Sequence, residues 1–447
     1  MQRGAGRALL ATCLLLAGLG GSRAASAGAF EVQGFGPAGA AEVNARGARA
    51  DDGSATFYNP GGLALGRGFR TEIAPMFTVS ALSAQGQNRS ISDPFGVAIA
   101  FDATLPFEGL LKDRIRIGFG GYIPPTTAAR VLSRPASEPF FPYFDNRTQR
   151  LIIMPALAVR LFERLGIGAA LNVLAGVSGP VDVEPGRSGA LESRLDLTAQ
   201  TAVGLNVGLR FDPTDKTHLG LTFRQRFGIP AVVSTKAVVG GVPLDVDVTT
   251  HSALYDPAAI VVAGAFEAGR HSVEVDATYS VWSSYSGPFV AVKATLPGVD
   301  IESQVPSSPA KDVVSLRAAD TIKAYAGQSS DLYVRAGLGY EPSMLKRPQV
   351  GETNLVDGNK ILFGLGATVV LRRTLPTPVR LSLGVGLTEV TSTSRKKDVC
   401  QTAPCPADTV SGPDAAAPSK GVQNPGYPTL VSDGALWSMS ASVGFEL

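Results

Sequence analysis

Apolar and polar side chains alternate along many segments of this chain. Between Ser272 and Val281, the odd-numbered positions carry Val, Ala and Tyr, and the even-numbered positions carry Ser, Glu, Asp and Thr. The segments 201–211 and 379–387 alternate in the same way. Because successive side chains of a strand point to opposite faces of the sheet, each segment predicts a strand with one apolar face and one small or polar face.

The number of such segments distinguishes a membrane barrel from a soluble β-sandwich, in which single strands also alternate. Fourteen strands are predicted, near residues 69–82, 94–104, 112–122, 149–160, 164–175, 198–211, 216–228, 258–268, 270–282, 312–325, 329–341, 359–372, 376–390 and 434–447. Bacterial outer-membrane barrels have an even number of antiparallel strands. The chain is therefore predicted to be all-β, with a transmembrane antiparallel β-barrel over residues 69–447.

The connections between the predicted strands alternate in length. Even-numbered strands end in short turns, whereas odd-numbered strands end in long polar loops, among them 123–148, 229–257, 283–311 and 391–433. A barrel with short periplasmic turns and longer external loops has this arrangement. We therefore expect the long loops to face the cell exterior.

The last predicted strand has apolar residues at alternate positions from Trp437 to Phe445. Pairing of this strand with the first would close the barrel and leave no sheet edge. Barrels commonly end in an aromatic residue that the barrel assembly machinery recognises, and here Phe445 lies two positions before Leu447. We expect this machinery to be a partner during membrane insertion.

The first residues carry the features of an export signal. Arg3 and Arg7 precede an apolar run at 8–19, and the small residues that follow end at 25–27. This order is typical of a secretory signal peptide, and the apolar run is too short to span a membrane as a helix. We predict a signal peptide at 1–27 and a location in the outer membrane of a Gram-negative bacterium.

Composition limits the classes of function. Charged residues make up 17% of the chain, against about 25% in ordinary soluble domains, and 51 residues are Gly. The predicted mature part has no run of roughly 18 apolar residues that could form a spanning helix. The formal net charge of +2 gives no reason to expect a nucleic-acid partner.

Catalytic and metal-binding patterns are absent from the sequence. The three His residues occupy unrelated segments, and no G-x-S-x-G motif occurs. The neighbouring carboxylates Glu274 and Asp276 fit solvated polar residues of a barrel interior better than a catalytic pair. We therefore expect no catalytic residue, metal or cofactor, and an outer-membrane hydrolase is the less favoured enzyme alternative.

Residues 28–68, between the predicted signal peptide and the first strand, have a different pattern. They are rich in Gly and Ala, lack alternation, and contain the turn sequence Asn-Pro-Gly-Gly at 59–62. On these grounds the segment is either a flexible linker or a plug. A barrel of about fourteen strands has a lumen wide enough to need filling if the protein is not an open pore.

Several stretches resemble one known family. Phe30, Gly39, the Ala-Asp-Asp-Gly step at 50–53 and the Asn-Pro at 59–60 resemble the N-terminal hatch of the long-chain fatty-acid outer-membrane transporter family (FadL-type). That family includes porins for toluene and related hydrocarbons. Further similar stretches follow in the same order, at 219–224, 281–285, 332–342 and 357–367. The resemblance extends over essentially the whole predicted mature chain.

The resemblance implies a fourteen-stranded barrel plugged by residues 28–68, with Phe30, Asn59, Pro60 and Gly61 in the hatch. It also implies passive uptake of hydrophobic small molecules, either long-chain fatty acids or aromatic and aliphatic hydrocarbons. External loops would capture the cargo and pass it to an apolar site above the hatch. A rearrangement of the hatch would then release it. The family's Asn-Pro-Ala reads Asn-Pro-Gly in this chain.

The basic residues that meet a fatty-acid carboxylate in some family members have no located equivalent here. Arg317, Lys323 and Arg335 lie on the predicted inward faces of two neighbouring strands and are the candidates for substrate binding. Basic residues of a lumen more often only solvate the barrel interior. The transport alternative is a general diffusion porin for polar solutes, which would lack the hatch. We expect a monomer surrounded by outer-membrane lipid.

Cys400 and Cys405 are predicted to form a disulfide in the last external loop. They are the only Cys residues after the predicted signal peptide, and exported proteins fold in an oxidising compartment. A metal site would need more ligands than two thiolates, and no His lies near them in sequence. Mass spectrometry after alkylation without reductant should show neither Cys labelled. Two labelled thiols, or a bound metal, would contradict the pairing.

Overall fold

The computed structural model describes residues 28–91, 95–125, 139–145, 147, 150–185, 191–195, 198–239, 242–287, 290–296, 299–302, 308–346, 349–350, 354–372, 377–398 and 429–447. The predicted signal peptide at 1–27 lies outside these residues, as does the predicted disulfide between Cys400 and Cys405. Both stay predictions.

Strands make up most of the described chain, because its β-branched and aromatic residues at alternate positions suit a pleated sheet. The strands are β1 (Phe69–Ala84), β2 (Gln87–Asn88), β3 (Phe95–Thr104), β4 (Ile115–Ile123), β5 (Ile152–Phe162), β6 (Leu165–Pro185), β7 (Leu191–Leu195), β8 (Thr198–Thr214), β9 (Thr217–Arg224), β10 (Phe227–Val239), β11 (Val242–Asp256), β12 (Ala258–Ala268), β13 (His271–Val281), β14 (Val290–Leu296), β15 (Val299–Glu302), β16 (Val313–Ala326), β17 (Ser330–Glu341), β18 (Gln349–Val350), β19 (Lys360–Leu371), β20 (Val379–Asp398) and β21 (Thr429–Glu446).

Fourteen of these strands close into one antiparallel barrel, in the order β1, β3, β4, β5, β6, β8, β9, β12, β13, β16, β17, β19, β20 and β21. The closure pairs β1 with β21, from Arg70 opposite Glu446 to Ala84 opposite Ser432. Closure removes the edges of the sheet and pairs its backbone groups. The predicted fourteen-stranded all-β barrel is confirmed, and each barrel strand overlaps its predicted range.

A second sheet stands at the long-loop end of the barrel. Its strand order is β7, β6, β10, β11, β14 and β15. The prediction of loops at 229–257 and 283–311 is wrong for the parts that form these strands. The physical reason is that these strands pair with a strand far away along the chain, and a local sequence pattern does not reveal such a pairing. β6 continues to Pro185, well past its predicted end at 175, and its backbone pairs with β10.

The two faces of the barrel wall follow the predicted alternation. On β13, Val273 and Val275 are 42% and 53% exposed, whereas Glu274 and Asp276 are buried. The outward face is therefore apolar and suited to lipid, and the inward face carries the polar side chains. Two-residue turns join β8 to β9 and β12 to β13, whereas the connections that follow, β9 to β12 and β13 to β16, are long. The predicted alternation of short and long connections is therefore observed here.

Residues 28–68, called the N-terminal segment from here on, contain four short helices: α1 (Gly28–Gln33), α2 (Gly36–Ala41), α3 (Ala55–Tyr58) and α4 (Pro60–Leu63). Helix α2 packs against β19, β20 and β21, whereas α4 packs against β5, β6 and β8. These two groups of strands lie on opposite sides of the barrel, so the N-terminal segment crosses the lumen.

Helices are few and short in this structure. Besides α1 to α4, the residues that the structure describes contain two single 3-10 turns, Gly109–Leu111 and Trp282–Ser284. No helix of the described ranges is both long enough and apolar enough to cross a membrane.

Replacing Val275 with Arg should place a charge on the lipid-facing side of β13. We expect a loss of about 2–4 kcal/mol in barrel stability near the bilayer midplane, because lipid cannot solvate the guanidinium. Ala268→Arg, exposed at the end of β12, is the control and should cost about 0–1 kcal/mol. Unfolding in urea with lipid vesicles measures both. Equal losses would show that Val275 does not lie deeper in the hydrocarbon layer than Ala268.

Candidate functional site

The Asn59–Pro60 turn attaches the N-terminal segment to the barrel wall. The buried Asn59 side chain accepts the Gly61 N–H at 3.1 Å and so caps the first turn of α4. Its Nδ2 donates to the carbonyls of Gly47 at 2.7 Å and Leu209 at 3.0 Å. Pro60 occupies the first helical position, where its missing N–H is not needed. One side chain therefore joins two parts of the segment to β8.

Side chains of β8 and β9 hold the carbonyl groups of helix α3. Asn206 donates to the carbonyls of Thr56 at 2.8 Å and Phe57 at 3.0 Å, and Thr222 donates to that of Tyr58 at 3.0 Å. A helix of four residues leaves its terminal carbonyls without internal partners. The wall supplies those partners.

Close packing at this point requires small wall residues. A Cβ added to Gly208 of β8 would overlap the Oδ1 atom of Asn59. A Cβ added to Gly220 of β9 would overlap the carbonyl oxygen of Gly47. The glycines of the inward face thus allow the backbone of the N-terminal segment to lie directly on the wall.

Two carboxylates of β13 bind the next part of the N-terminal segment. Asp276 accepts the backbone N–H groups of Arg46 at 3.1 Å and Gly47 at 3.0 Å. Glu274 accepts the N–H of Ala48 and the Nε–H of Arg49, both at 2.6 Å. The interpretation of Glu274 and Asp276 as solvated residues is wrong, because three consecutive N–H groups of the segment replace water around them.

Glu42, directly after α2, is the centre of a buried charge cluster. It forms ion pairs with Arg46 at 2.6 Å and with Arg49 and Arg335 at 3.3 Å each. It also accepts the Thr321 hydroxyl. Burial alone would raise the pKa of Glu42, but the guanidiniums lower it to about 2. The carboxylate therefore stays ionised at neutral pH and ties the segment to β16 and β17.

The long-loop side of the N-terminal segment is covered by an aromatic cluster, defined as Phe140, Phe141, Tyr143, Phe144, Tyr255, Trp282 and Tyr285. The rings of Tyr255 and Trp282 lie 5.8 Å apart, and those of Trp282 and Tyr285 lie 5.9 Å apart at nearly a right angle. Such contacts provide a large apolar area with a few polar groups. Val32 of α1 belongs to the same apolar cluster.

Arg147 joins the aromatic cluster to the N-terminal segment. Its guanidinium forms an ion pair with Glu31 of α1 and another with Asp256 at 2.9 Å, and it lies 5.5 Å from the centre of the Trp282 ring. Glu31 also pairs with Arg224 at 3.0 Å. Burial alone would raise the pKa of Glu31, but Arg147 and Arg224 lower it. The contact between the aromatic cluster and α1 therefore depends on ion pairs whose charges neutralise one another.

Little free space remains between the N-terminal segment and the aromatic cluster. The cavity there has a volume of about 30 Å³, and its lining includes Phe57, Tyr58, Tyr143, Arg224, Trp282 and Arg317. A water molecule needs about 10–15 Å³ of such volume. This cavity accommodates water but not an organic molecule.

Comparison with solved structures identifies the fold. A FadL homologue of Pseudomonas aeruginosa is 13% identical with a TM-score of 0.57, and the match covers 93% of this chain and 98% of that chain. The P. putida toluene transporter TodX is 14% identical with a TM-score of 0.55, covering 92% and 99%. The CymD monoaromatic hydrocarbon channel is 14% identical with a TM-score of 0.52, covering 92% and 97%. This chain has the FadL-type fold. No protein-family profile and no curated protein sequence matches it.

Of the three predicted substrate-binding residues, Lys323 and Arg335 are diagonal neighbours on β16 and β17 of this FadL-type fold, whereas Arg317 lies further along β16. Arg317 lines the closed cavity and pairs with Glu341 at 2.9 Å. Arg335 pairs with Glu42 of the N-terminal segment. Lys323 lies near the short turn of β16 and pairs with Asp331 at 3.2 Å. The structure does not bring the three together into one site.

The residues that join the aromatic cluster to the N-terminal segment of this FadL-type barrel were not predicted from the sequence. Arg147 and Asp256 lie in segments that were predicted to be loops. Charged residues are common in loops and do not by themselves indicate a functional site. One signal could have found them. Phe140-Phe141-Pro142-Tyr143-Phe144 is an aromatic run within a predicted polar loop. Exposed aromatic runs are unfavourable in water, so this one indicates a buried or ligand-binding position.

Asn59→Ala should loosen the N-terminal segment without preventing barrel assembly. The variant leaves the carbonyls of Gly47 and Leu209 without their donor, and a buried unpaired group costs about 1–3 kcal/mol. Hydrogen exchange of residues 45–63 should therefore become faster. Asn88→Ala, on the exposed strand β2, is the control and should leave this exchange unchanged. Unchanged exchange in Asn59→Ala would show that the turn does not hold the segment.

Proposed function

We propose that this protein is an outer-membrane channel for the passive uptake of hydrophobic small molecules, with the N-terminal segment as its hatch. One observation supports the proposal above the others. The N-terminal segment crosses the lumen and is bound to the wall by hydrogen bonds from β8, β9 and β13. The barrel is thereby closed to ions and polar solutes.

The aromatic cluster supports the choice of an apolar cargo. Its rings combine large apolar area with few polar groups, which is how protein sites bind hydrocarbons and acyl chains. Two of the similar structures are a toluene transporter and a monoaromatic hydrocarbon channel. Long-chain fatty acids or aromatic and aliphatic hydrocarbons are the proposed cargo.

Passage of cargo requires the N-terminal segment to move. The cavity of about 30 Å³ is too small for an organic molecule, so binding at the aromatic cluster has to be followed by displacement of α1. The ion pair between Arg147 and Glu31 connects these two parts. In this mechanism cargo separates Arg147 from Glu31, and Glu31 keeps Arg224 as a partner, so no buried charge is left alone.

The surface of the barrel supports a membrane location for this protein. Its outward apolar face supports a location in the outer membrane of a Gram-negative bacterium, with the long loops outside and the short turns in the periplasm. The protein acts as a monomer after insertion by the barrel assembly machinery. A general diffusion porin is disfavoured because the lumen is filled. An outer-membrane hydrolase is the less favoured alternative, since two of the similar structures are a transporter and a channel.

A reversible crosslink tests the hatch. A Cβ on Gly36 of α2 would lie 3.6 Å from the Cβ of Ala74 in β1, within the range of about 3.5–4.5 Å for disulfides. The double variant Gly36→Cys with Ala74→Cys should abolish uptake of radiolabelled naphthalene and oleate by cells when oxidised. Reduction should restore it, because the N-terminal segment can move again.

The two single-Cys variants are the controls for this crosslink. Gly36→Cys carries the backbone strain of a positive φ of 67° without the crosslink and should transport in both redox states. Equal transport by the oxidised and reduced double variant would show that the segment does not gate. High ion conductance of the intact protein in a planar bilayer would favour the general porin instead.

A further inference from the structure

The connection between β3 and β4, at the short-turn end of the barrel, carries exposed apolar side chains. It runs over residues 105–114 and contains the 3-10 turn Gly109–Leu111. On that turn Leu110 is 87% exposed and Leu111 is 41% exposed. None of the three residues of the turn is buried. The barrel itself therefore offers these two leucines no apolar partner.

The neighbouring connection, between β5 and β6, extends this apolar surface. Leu161 and Phe162 at the end of β5 are 42% and 69% exposed. The backbone N–H of Arg160 donates to the carbonyl of Arg114 at 2.7 Å, and the Arg160 guanidinium donates to the carbonyl of Asp113 at 2.8 Å. These hydrogen bonds keep the two connections side by side. Their four exposed apolar residues are called the apolar rim from here on: Leu110, Leu111, Leu161 and Phe162.

The apolar rim continues the lipid-facing surface of the barrel. On the outward face of β3 and β4, the rings of Phe101 and Phe119 stack with their centres 5.1 Å apart. Nearer the short-turn end, Ile117 of β4 lies opposite Leu157 of β5, which is 48% exposed. The outward positions of these strands thus lead directly to the rim. Whatever solvates the outward face also reaches the rim.

The charges beside the apolar rim are of both signs. The connection between β3 and β4 carries two carboxylates and two cations, all exposed: Glu108, Asp113, Lys112 and Arg114. Zwitterionic phospholipids present an anionic phosphate next to a cationic group, so each sign finds a partner there. Segments that bind strongly anionic membranes instead carry clusters of Lys and Arg. The connection therefore suits a zwitterionic headgroup layer.

The size of the apolar rim disfavours a protein as its partner. A stable protein interface buries about 800 Å² on each side, from roughly 20–30 residues. The rim has four apolar residues, and the apolar surface ends at the next turn, where β8 joins β9 through the polar Asp215 and Lys216. Arg164 of the β5–β6 connection pairs with Asp215 at 2.9 Å and marks this boundary. A lipid layer needs no minimum area of this kind.

We propose that the apolar rim inserts into the phospholipid layer at the short-turn end and anchors the β3–β5 side of the barrel. Leu110 and Phe162, its most exposed members, contact acyl chains at their boundary with the headgroups, where interfacial segments bury their apolar side chains. Lys112 and Arg114 extend from this boundary to the phosphates. The inference goes beyond the proposed function, because it concerns the position of the barrel in lipid and not its cargo.

Spin labelling of the full-length protein in phosphatidylcholine vesicles tests this anchor. A nitroxide is attached at Leu110→Cys or at Phe162→Cys, and its collisions with oxygen and with a water-soluble nickel chelate are measured. Oxygen concentrates among acyl chains and the chelate stays in water. Both labels should therefore have an oxygen-to-nickel collision ratio severalfold above that of Asp215→Cys. Asp215 is the matched control, since its side chain is 93% exposed on a polar turn at the same end.

A second variant tests whether the two connections insert together. Leu111→Asp places a charge in the rim and should lower the oxygen-to-nickel ratio of the label at Phe162→Cys. Heat-modifiable gel migration shows that each variant is a folded barrel, and the signal of the unaltered protein after the same labelling is subtracted. If Leu110→Cys does not fold, the label at Phe162→Cys decides.

Three results would overturn the proposal. The first is a ratio at Leu110→Cys and Phe162→Cys equal to that at Asp215→Cys, which would leave the rim in water. The second is a high ratio only in vesicles that contain phosphatidylglycerol, which would indicate electrostatic attraction in place of apolar insertion. The third is low accessibility to both reagents that appears only at high protein-to-lipid ratio, which would indicate a second copy of the chain on the rim.

Discussion

The pairing of buried backbone groups is the constraint on which this structure depends. The helices of the N-terminal segment are only four to six residues long, so many of their N–H and C=O groups have no partner within a helix. Unpaired buried groups are costly, and the barrel wall supplies the missing partners. Asn206 and Thr222 donate to carbonyls, and Glu274 and Asp276 accept N–H groups. A segment without a core of its own is thereby held in one conformation.

Buried charges add specificity to this arrangement. Glu42 is surrounded by three guanidiniums, and Glu31 is shared between Arg147 and Arg224. Buried ion pairs contribute little net stability compared with apolar packing, but an isolated buried charge costs several kcal/mol. The clusters therefore contribute more to the specificity of the position of the N-terminal segment than to the net stability of the structure. Such clusters are compatible with the proposed movement of the segment, because a carboxylate with two partners can lose one and remain neutralised.

Much of the barrel could be predicted from the sequence, and little of the site could. All fourteen barrel strands were located, because lipid on one side and polar groups on the other impose a period of two. The Asn59–Pro60 turn was also visible, since its capping is local. The roles of Glu274, Asp276 and Arg147 were not visible. Their partners lie far away along the chain, and the sequence around them resembles that of any lumen-facing strand or polar loop.

The sequence by itself determined the strands, their inward and outward faces, and the alternation of short and long connections, because each of these depends on neighbours within about ten residues. Only the tertiary structure decided which inward side chain meets which part of the N-terminal segment. Asn59 bonds a carbonyl 150 positions later, and Glu42 accepts a hydroxyl 279 positions later. Contacts of this separation arise from barrel closure and the stagger of its strands, and they leave no periodic pattern along the chain.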